Sequence, residues 1–416
     1  MRPIEAEQLK KLLDLLKAVR AGNTFYRRKL EAVGGIGSLE EYSRQIPFTR
    51  KQELMEDQIQ HPPFGTNLTY PLARYSRFSQ TSGSTGKPMR WLDTAESWDW
   101  MLGNWRRVFD AAGVTREDRI FLAFSFGPFL GFWTAFEAAA RVGNLCIPGG
   151  GMPSAARLGV ILDIGVTVLC STPTYAIHLA EVAAAEGIDL GRSRVKSLIV
   201  AGEPGGSIPA TRRRLETVWR GARVWDQHGM TEVGPVSYPC PVREGVLHVM
   251  EDAYYAEVID PASGEAVGGR GELVLTNLGR TGSPLLRYRT GDIVERGQET
   301  RCACGTEDMA LEGGILGRTD DMVVVRGVNV YPGAVEEILR SAGGVAEYRV
   351  KVSERQSLVE LSIEVEPETA HHGDEGLAHR LEAALRDALS LRVPVTIAPC
   401  GSLPRFEMKA RRWVRG

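Results

Sequence analysis

Eight segments decide the fold: RIFLAF at 119–124, TAFEAAARVG at 134–143, NLCIP at 144–148, VTVLCS at 166–171, TYAIHLAEVAAAEG at 174–187, SLIVAG at 197–202, PATRRRLETVWRG at 209–221 and RVWDQ at 223–227. Short apolar runs alternate with helically spaced segments, which predicts βα units around a largely parallel sheet covered on both faces. In such an α/β arrangement the loops at the strand ends carry the chemistry. From His248 to Thr276 the pattern changes to LHVMED, AEVID, PASGEAVGG and GELVLTNL, strands joined by Gly/Pro/Ser turns, and predicts an antiparallel β section. After GRTDD at 317–321 come MVVV, the Pro-initiated PGAVEEILRS, EYRVKV, LVELSIEV, EGLAHRLEAALRDALSL and PVTIA. These predict a small α+β unit from about Asp320. The expected architecture is α/β: a large, multi-layered N-terminal domain over 1–319 with mostly parallel sheets plus a β section, and a small α+β domain over 320–416. A chain of 416 residues exceeds the usual single-core limit and accommodates both.

Upstream, MRPIEAEQLKKLLDLLKAVRAG at 1–22 breaks its leucines with Lys10, Lys11, Asp14 and Lys17, so it is neither a signal peptide nor a membrane span. Leu9, Leu12, Leu13, Leu16 and Val19 recur at helical spacing and predict an amphipathic helix packed on the body of the protein, with a partner subunit as the alternative. The 50 basic and 52 acidic side chains give a net charge of −2. No broad field for nucleic acid or an anionic membrane follows, and the expected partner is a small molecule. Six cysteines are too few for a secreted disulfide scaffold, which points to the cytoplasm.

The loop SQTSGSTGKPMRW at 79–91 sets hydroxyls, glycines and one ammonium side by side. Glycines let backbone N–H groups converge on an anion, and lysine adds a point charge, so the loop suits a phosphate. It is not a Walker A loop: Thr81 stands where the first glycine belongs and Pro88 at the Ser/Thr metal position. A polar hairpin turn is the alternative reading of the loop by itself.

QTSGSTGKP at 80–88, HGMTEVG at 228–234, YRTGD at 288–292, GRTDD at 317–321 and LPRFEMK at 403–409 occur together in this order. With them the chain resembles the adenylate-forming acyl ligase superfamily. NTFYRRKL at 23–30, IPFTRKQEL at 46–54, AGEP at 201–204, RGVNVYP at 326–332 and Cys-x-Cys-Gly at 302–305 make it similar to the phenylacetate-CoA ligase group.

The resemblance implies that Thr81, Ser82, Gly83, Ser84, Thr85, Gly86 and Lys87 hold the triphosphate of ATP. Gly202, Glu203, Pro204, Gln227, His228, Gly229, Met230 and Thr231 complete the nucleotide site, and Glu232 is the carboxylate for Mg2+, a hard oxygen ligand beside a phosphate cradle. Asp292 accepts from the ribose hydroxyls, Arg318 adds a ribose or phosphate contact, and Asp320 is the hinge of a mobile C-terminal domain. Lys409 reaches the site in the first half-reaction, and Arg326 and Gly327 flank a tunnel for coenzyme A. His228 departs from the aromatic residue that usually stacks on adenine; the alternative is a histidine fixed by a backbone carbonyl. Read without the other motifs, Lys409 would belong to a solvated basic tail with Arg405, Arg411, Arg412 and Arg415.

Cys240, His248, Cys302 and Cys304 are thiolate and imidazole donors suited to tetrahedral zinc, with buried free thiols as the alternative; some relatives carry such a site. Cys146, Cys170 and Cys400 read as core thiols. Phe126, Gly127, Phe132, Gly150, Met230 and Gly234, with Trp133 beside them, are the expected acyl pocket, apolar and partly aromatic, for an aryl carboxylic acid. The implied reaction is ATP- and Mg2+-dependent formation of an acyl-adenylate, then a thioester with coenzyme A. A carrier-protein thiol or a hydroxyl acceptor is the alternative, and a non-catalytic nucleotide-binding module a third reading. The resemblance also implies a possible homodimer.

Overall fold

Five short strands, Leu145–Pro148, Arg119–Leu122, Val168–Ser171, Ser197–Ala201 and Arg223–Gln227, lie side by side in that spatial order, and every pairing is parallel. Their residues alternate between two apolar layers, as the pleat requires. Ile120, Leu122, Val168, Cys170, Ile199 and Trp225 join one core; Phe121, Leu169, Leu198, Val200 and Val224 join another under the helices Ser154–Ile164, Pro173–Ala185 and Pro209–Val218. The sheet is covered on both faces, as the apolar runs predict. Because the strands are parallel, the loops after Leu122, Pro148, Ser171, Ala201 and Gln227 all open on one side. Thr172 starts the helix after its strand, its hydroxyl accepting from the Tyr175 N–H at 3.2 Å ahead of Pro173.

The β section is a six-stranded antiparallel sheet ordered Ser237–Pro239, Leu247–Val249, Ala310–Arg318, Tyr288–Arg296, Arg270–Asn277 and Tyr254–Ile259. Its register sets Asp292 directly opposite Arg318 on the neighbouring strand. Thr49 bridges to Tyr288 in parallel, with Thr49 N donating to Arg287 O at 3.0 Å and Arg289 N to Thr49 O at 2.9 Å. That staple carries the segment after Thr49 to the strand ends.

The computed structural model describes residues 2–81, 88–325, 328–355, 358–406 and 410–415. From Val323 onward an apolar cluster of its own, including Val335, Leu339, Val350, Ile363, Leu381 and Val395, joins the helices Pro332–Ala342 and Leu377–Leu389 to a mixed four-stranded sheet. That sheet is ordered Val395–Ile397, Leu358–Pro367, Val345–Arg355 and Trp413–Arg415. The N-terminal helix Pro3–Gly22 packs on the body through Leu12, Leu15, Leu16 and Val19, while the expected Leu13 is 40% exposed. Its inward face is set by Gln8, whose amide donates to the carbonyls of Glu251 and Tyr254. Among the described residues no helix is long and apolar enough to cross a membrane.

Candidate active site

The segment after Gln227 turns back on itself, pairing Gly229 with Pro235 and Met230 with Gly234. A Cβ on Gly229 would stand 2.8 Å from Gly234 O, so this close approach needs glycine. The turn is held from beneath by Arg280, fully buried and paired with Asp93 through two bonds of 2.6 and 2.7 Å. The same guanidinium donates to Thr231 O at 2.8 Å and Glu232 O at 2.9 Å. It thus fixes the backbone of Thr231 and Glu232, which the resemblance assigns to the nucleotide and to Mg2+. Neither Asp93 nor Arg280 lies in a recognisable motif, and 187 residues separate them. Glu232 is 5% exposed and its carboxylate meets Lys51 Nζ at 3.0 Å. Lys51 lies within IPFTRKQEL, where sequence reading assigned no role to it.

Asp292 is buried at the centre of the site. One carboxylate oxygen accepts from His228 Nε2 and the other from Arg318 Nη1, both at 2.9 Å. Arg318 turns its remaining edge to Asp320, with Nε to Oδ1 at 2.8 Å and Nη2 to Oδ2 at 3.1 Å. Gly291 adopts φ +77°, and a Cβ there would stand 3.0 Å from Arg318 Nη2, so the Thr-Gly-Asp turn requires glycine. The partner that fixes His228 is therefore a carboxylate, where the alternative reading expected a backbone carbonyl. Its Nδ1 is buried and has no partner among the described residues.

Two carboxylates lie on the neighbouring strand ends. Asp226 accepts from Ser207 Oγ at 2.5 Å and Gln227 N at 3.0 Å, and burial pushes its carboxyl up to about 6. Glu203 accepts from Thr174 N and Ala410 N, both at 2.8 Å, and desolvation raises it above the usual carboxylate range. Both Glu203 oxygens thus have backbone partners. Gly202 and Pro204 beside it are exposed. Thr81 pairs with Met89: its hydroxyl accepts from Met89 N at 3.0 Å and its N–H donates to Met89 O at 2.9 Å. Ser82, Gly83, Ser84, Thr85, Gly86, Lys87, Arg326, Gly327 and Lys409 lie outside the described residues.

Beside the turn sits an aromatic cluster. Phe126 packs edge-on against Phe124, Trp133 and Phe136, with centroids 5.7, 4.8 and 5.6 Å away, and holds φ +53°, a strained conformation for a bulky residue. Gly150 lies close under it, where a Cβ would be 3.2 Å from the Phe126 ring. Trp133 Nε1 donates to Gly127 O at 3.0 Å, and half-buried Met230 packs on the same core. Phe132 is only 4% exposed, wedged between Phe124 and Trp105, and serves as core.

His248 pairs with Ala310 at the opposite end of strand Ala310–Arg318 from Asp292, and the ligand atoms of Cys240, His248, Cys302 and Cys304 all lie within 4.8 Å of one another. Cys240 Sγ to Cys302 Sγ is 3.7 Å and Cys304 Sγ to His248 Nε2 is 3.5 Å. Zinc–sulfur bonds of about 2.3 Å at tetrahedral angles give sulfur separations of about 3.8 Å, close to the spacing found, so the donor set fits zinc. His248 Nδ1–H donates to Asp308 O at 3.2 Å, which leaves Nε2 free to ligate. Of the three remaining thiols only Cys170 is fully buried; Cys146 is half-buried and Cys400 exposed, which corrects the expectation that all three are core. Arg412, by contrast, is no tail residue: it is buried against Glu336 and Glu347.

The family model for AMP-binding enzymes matches residues 79–279, and that for the AMP-binding enzyme C-terminal domain matches 327–415. A phenylacetate-coenzyme A ligase of Thermus thermophilus is 33% identical over 433 residues, covering 98% of this chain and 94% of that protein. Among solved structures, 2-hydroxyisobutyryl-CoA ligase in the postadenylation state with R3-HIB-AMP is 28% identical and aligns at TM-score 0.92, covering 99% of this chain and 89% of the other. The same ligase with 2-HIB-AMP and CoA in the thioesterification state is 29% identical over the same shares but aligns at 0.71. Of these two structures the chain's fold superposes better on the former. With the motifs, the fold and these likenesses in agreement, the chain belongs to the adenylate-forming AMP-binding enzymes, in the phenylacetate-CoA ligase family.

Proposed function

We propose that this chain joins an aryl carboxylic acid to coenzyme A in two steps at one site. In the first, the carboxylate oxygen attacks the α-phosphorus of ATP and pyrophosphate leaves. In the second, the thiol sulfur attacks the acyl carbon, AMP leaves with the bonding pair, and the thiol proton passes to solvent. Adenylation supplies the leaving group that a bare carboxylate lacks; the rest is orientation and charge stabilisation.

The observation that carries this reading is Asp292, a buried carboxylate held by His228 and Arg318 at the ends of the parallel strands. Two fixed oxygens facing the nucleotide segment suit the two ribose hydroxyls. Thr81 and the loop through Lys87 bind the phosphates, and Gly202, Pro204 and Gln227 to Thr231 border the adenine, while both oxygens of Glu203 are taken by Thr174 N and Ala410 N. Glu232, buried with Lys51 at 3.0 Å, already holds one cation and has the oxygen donors Mg2+ takes, which would neutralise charge on the phosphates. Lys409 supplies positive charge between carboxylate and α-phosphate. The domains divide at Asp320, into 1–319 and 320–416, and rotation there brings Arg326 and Gly327 to the path of coenzyme A. The edge-on rings around Phe126 favour an aryl guest. Cys240, His248, Cys302 and Cys304 bind a closed, structural zinc ion.

The test is product analysis by mass spectrometry with ATP, magnesium and a panel of aryl and alkyl acids, offered coenzyme A or a phosphopantetheinylated carrier protein. Aryl-CoA as the main product supports the reading. Exclusive loading of the carrier protein, or a preference for alkyl acids, overturns the acceptor or the substrate class respectively.

A further inference from the structure

Glu203 sits on the loop after strand Ser197–Ala201, with its carboxylate between two backbone donors that belong to different domains. One oxygen accepts from Thr174 N, in the first turn of helix Pro173–Ala185, where an N–H has no partner within the helix and the dipole favours an anion. That bond lies wholly inside the large domain. The other oxygen accepts from Ala410 N at 2.8 Å. Ala410 moves with the small domain: two residues on, Arg412 O accepts from Val350 N at 2.7 Å, its guanidinium pairs with Glu347 and Glu336, and Trp413 to Arg415 add a parallel strand beside Val350 to Val352. The Glu203–Ala410 bond is therefore an interdomain contact, and in the sequence Ala410 directly follows Lys409.

We infer that Glu203 is a positioning residue for adenylation: anchored to the helix start, it docks the backbone of Ala410, the sequence neighbour of Lys409, and so holds the small domain in the arrangement that the first half-reaction uses. The inference rests on the proposed role of Lys409. A rotation of the small domain removes Ala410 from Glu203 and leaves the Thr174 bond in place, so Glu203 acts in the first half-reaction and is idle in the second. This differs from a nucleotide contact, which would operate while the adenylate is bound in both.

The experiment separates the half-reactions in the full chain. Acid-dependent ATP–pyrophosphate exchange reads the first, and conversion of synthetic acyl-adenylate with coenzyme A reads the second. Glu203→Gln keeps the volume but turns an amide NH2 toward one of the two N–H donors. Exchange should fall roughly 10- to 100-fold through kcat, the scale of a misplaced catalytic group, with little change in KM for ATP and thioester formation within about twofold of wild type. Ala410→Pro removes the donor from the other side of the contact and should give the same split, and the double variant should be no worse than either single one. Equal loss in both half-reactions, a loss confined to KM for ATP, or additive losses in the double variant would overturn the inference. Lys409→Ala serves as the control. If it exchanges normally, the role of Lys409 is wrong; if it is inactive while Glu203→Gln exchanges like wild type, only the docking role is wrong.

Discussion

His228 Nε2 stands 2.9 Å from Asp292 Oδ2, joining the two motifs that the sequence places 64 residues apart into one buried pair. The ring therefore serves the carboxylate proposed to hold the ribose. Replacing His228 with Ala removes a donor to a charged acceptor, worth about 1.5–3 kcal/mol. The Kd for ATP, measured by calorimetry, should rise at least roughly tenfold. An unchanged Kd would mean that Arg318 alone orients Asp292.

The Arg280–Asp93 pair is the main support under Thr231 and Glu232, and both partners are buried. Arg280→Met leaves Asp93 charged and unpaired in the interior, and breaking such a pair costs about 3–5 kcal/mol. Urea denaturation should show a loss of that order, and Asp93→Asn a smaller one.

Asp226 gives a pH dependence whose sign is fixed by its carboxyl being pushed up to about 6 from the ordinary 3.8. The folded protein holds this proton more tightly than the unfolded chain, so the group favours folding below about pH 4 and costs stability as pH rises through about 6. Asp226→Asn removes that cost. Relative to wild type, the variant should be more stable at pH 7.5 than at pH 4.5 in chemical denaturation; a constant difference between the two would contradict the assignment.

The four soft donors predict about one zinc per chain by elemental analysis of untagged protein. Cys302→Ser should lose the metal and lower Tm, and a chelator should lower the wild-type Tm to a similar value. Because the cluster lies in the antiparallel sheet away from Asp292, KM for ATP should change little in protein that remains folded.

Periodicity exposed the parallel sheet because strands buried on both faces must be apolar throughout, and glycine, proline and serine turns exposed the antiparallel one. Glu232, Asp292 and Arg318 stood out because they lie in motifs that the chain shares with a family, and the fold brings Asp292 and Arg318 together. Lys51, Asp93 and Arg280 did not: each is one charged residue in an ordinary context, and its role arises from a partner brought close only by the fold. Leu13 misled because an amphipathic stripe wide enough to hold it left Leu15, which faces the core, unassigned. Cys400 misled because the expectation that thiols are buried has no counterpart in its exposed turn.

Cleavage of ATP between its α- and β-phosphates by a carboxylate held at this site is read out by isotope exchange between pyrophosphate and ATP, with magnesium and an aryl acid but no coenzyme A. Exchange should require the acid and be lost in Asp292→Ala. Exchange that is absent with every acid, or release of ADP and phosphate in place of AMP and pyrophosphate, would contradict that cleavage.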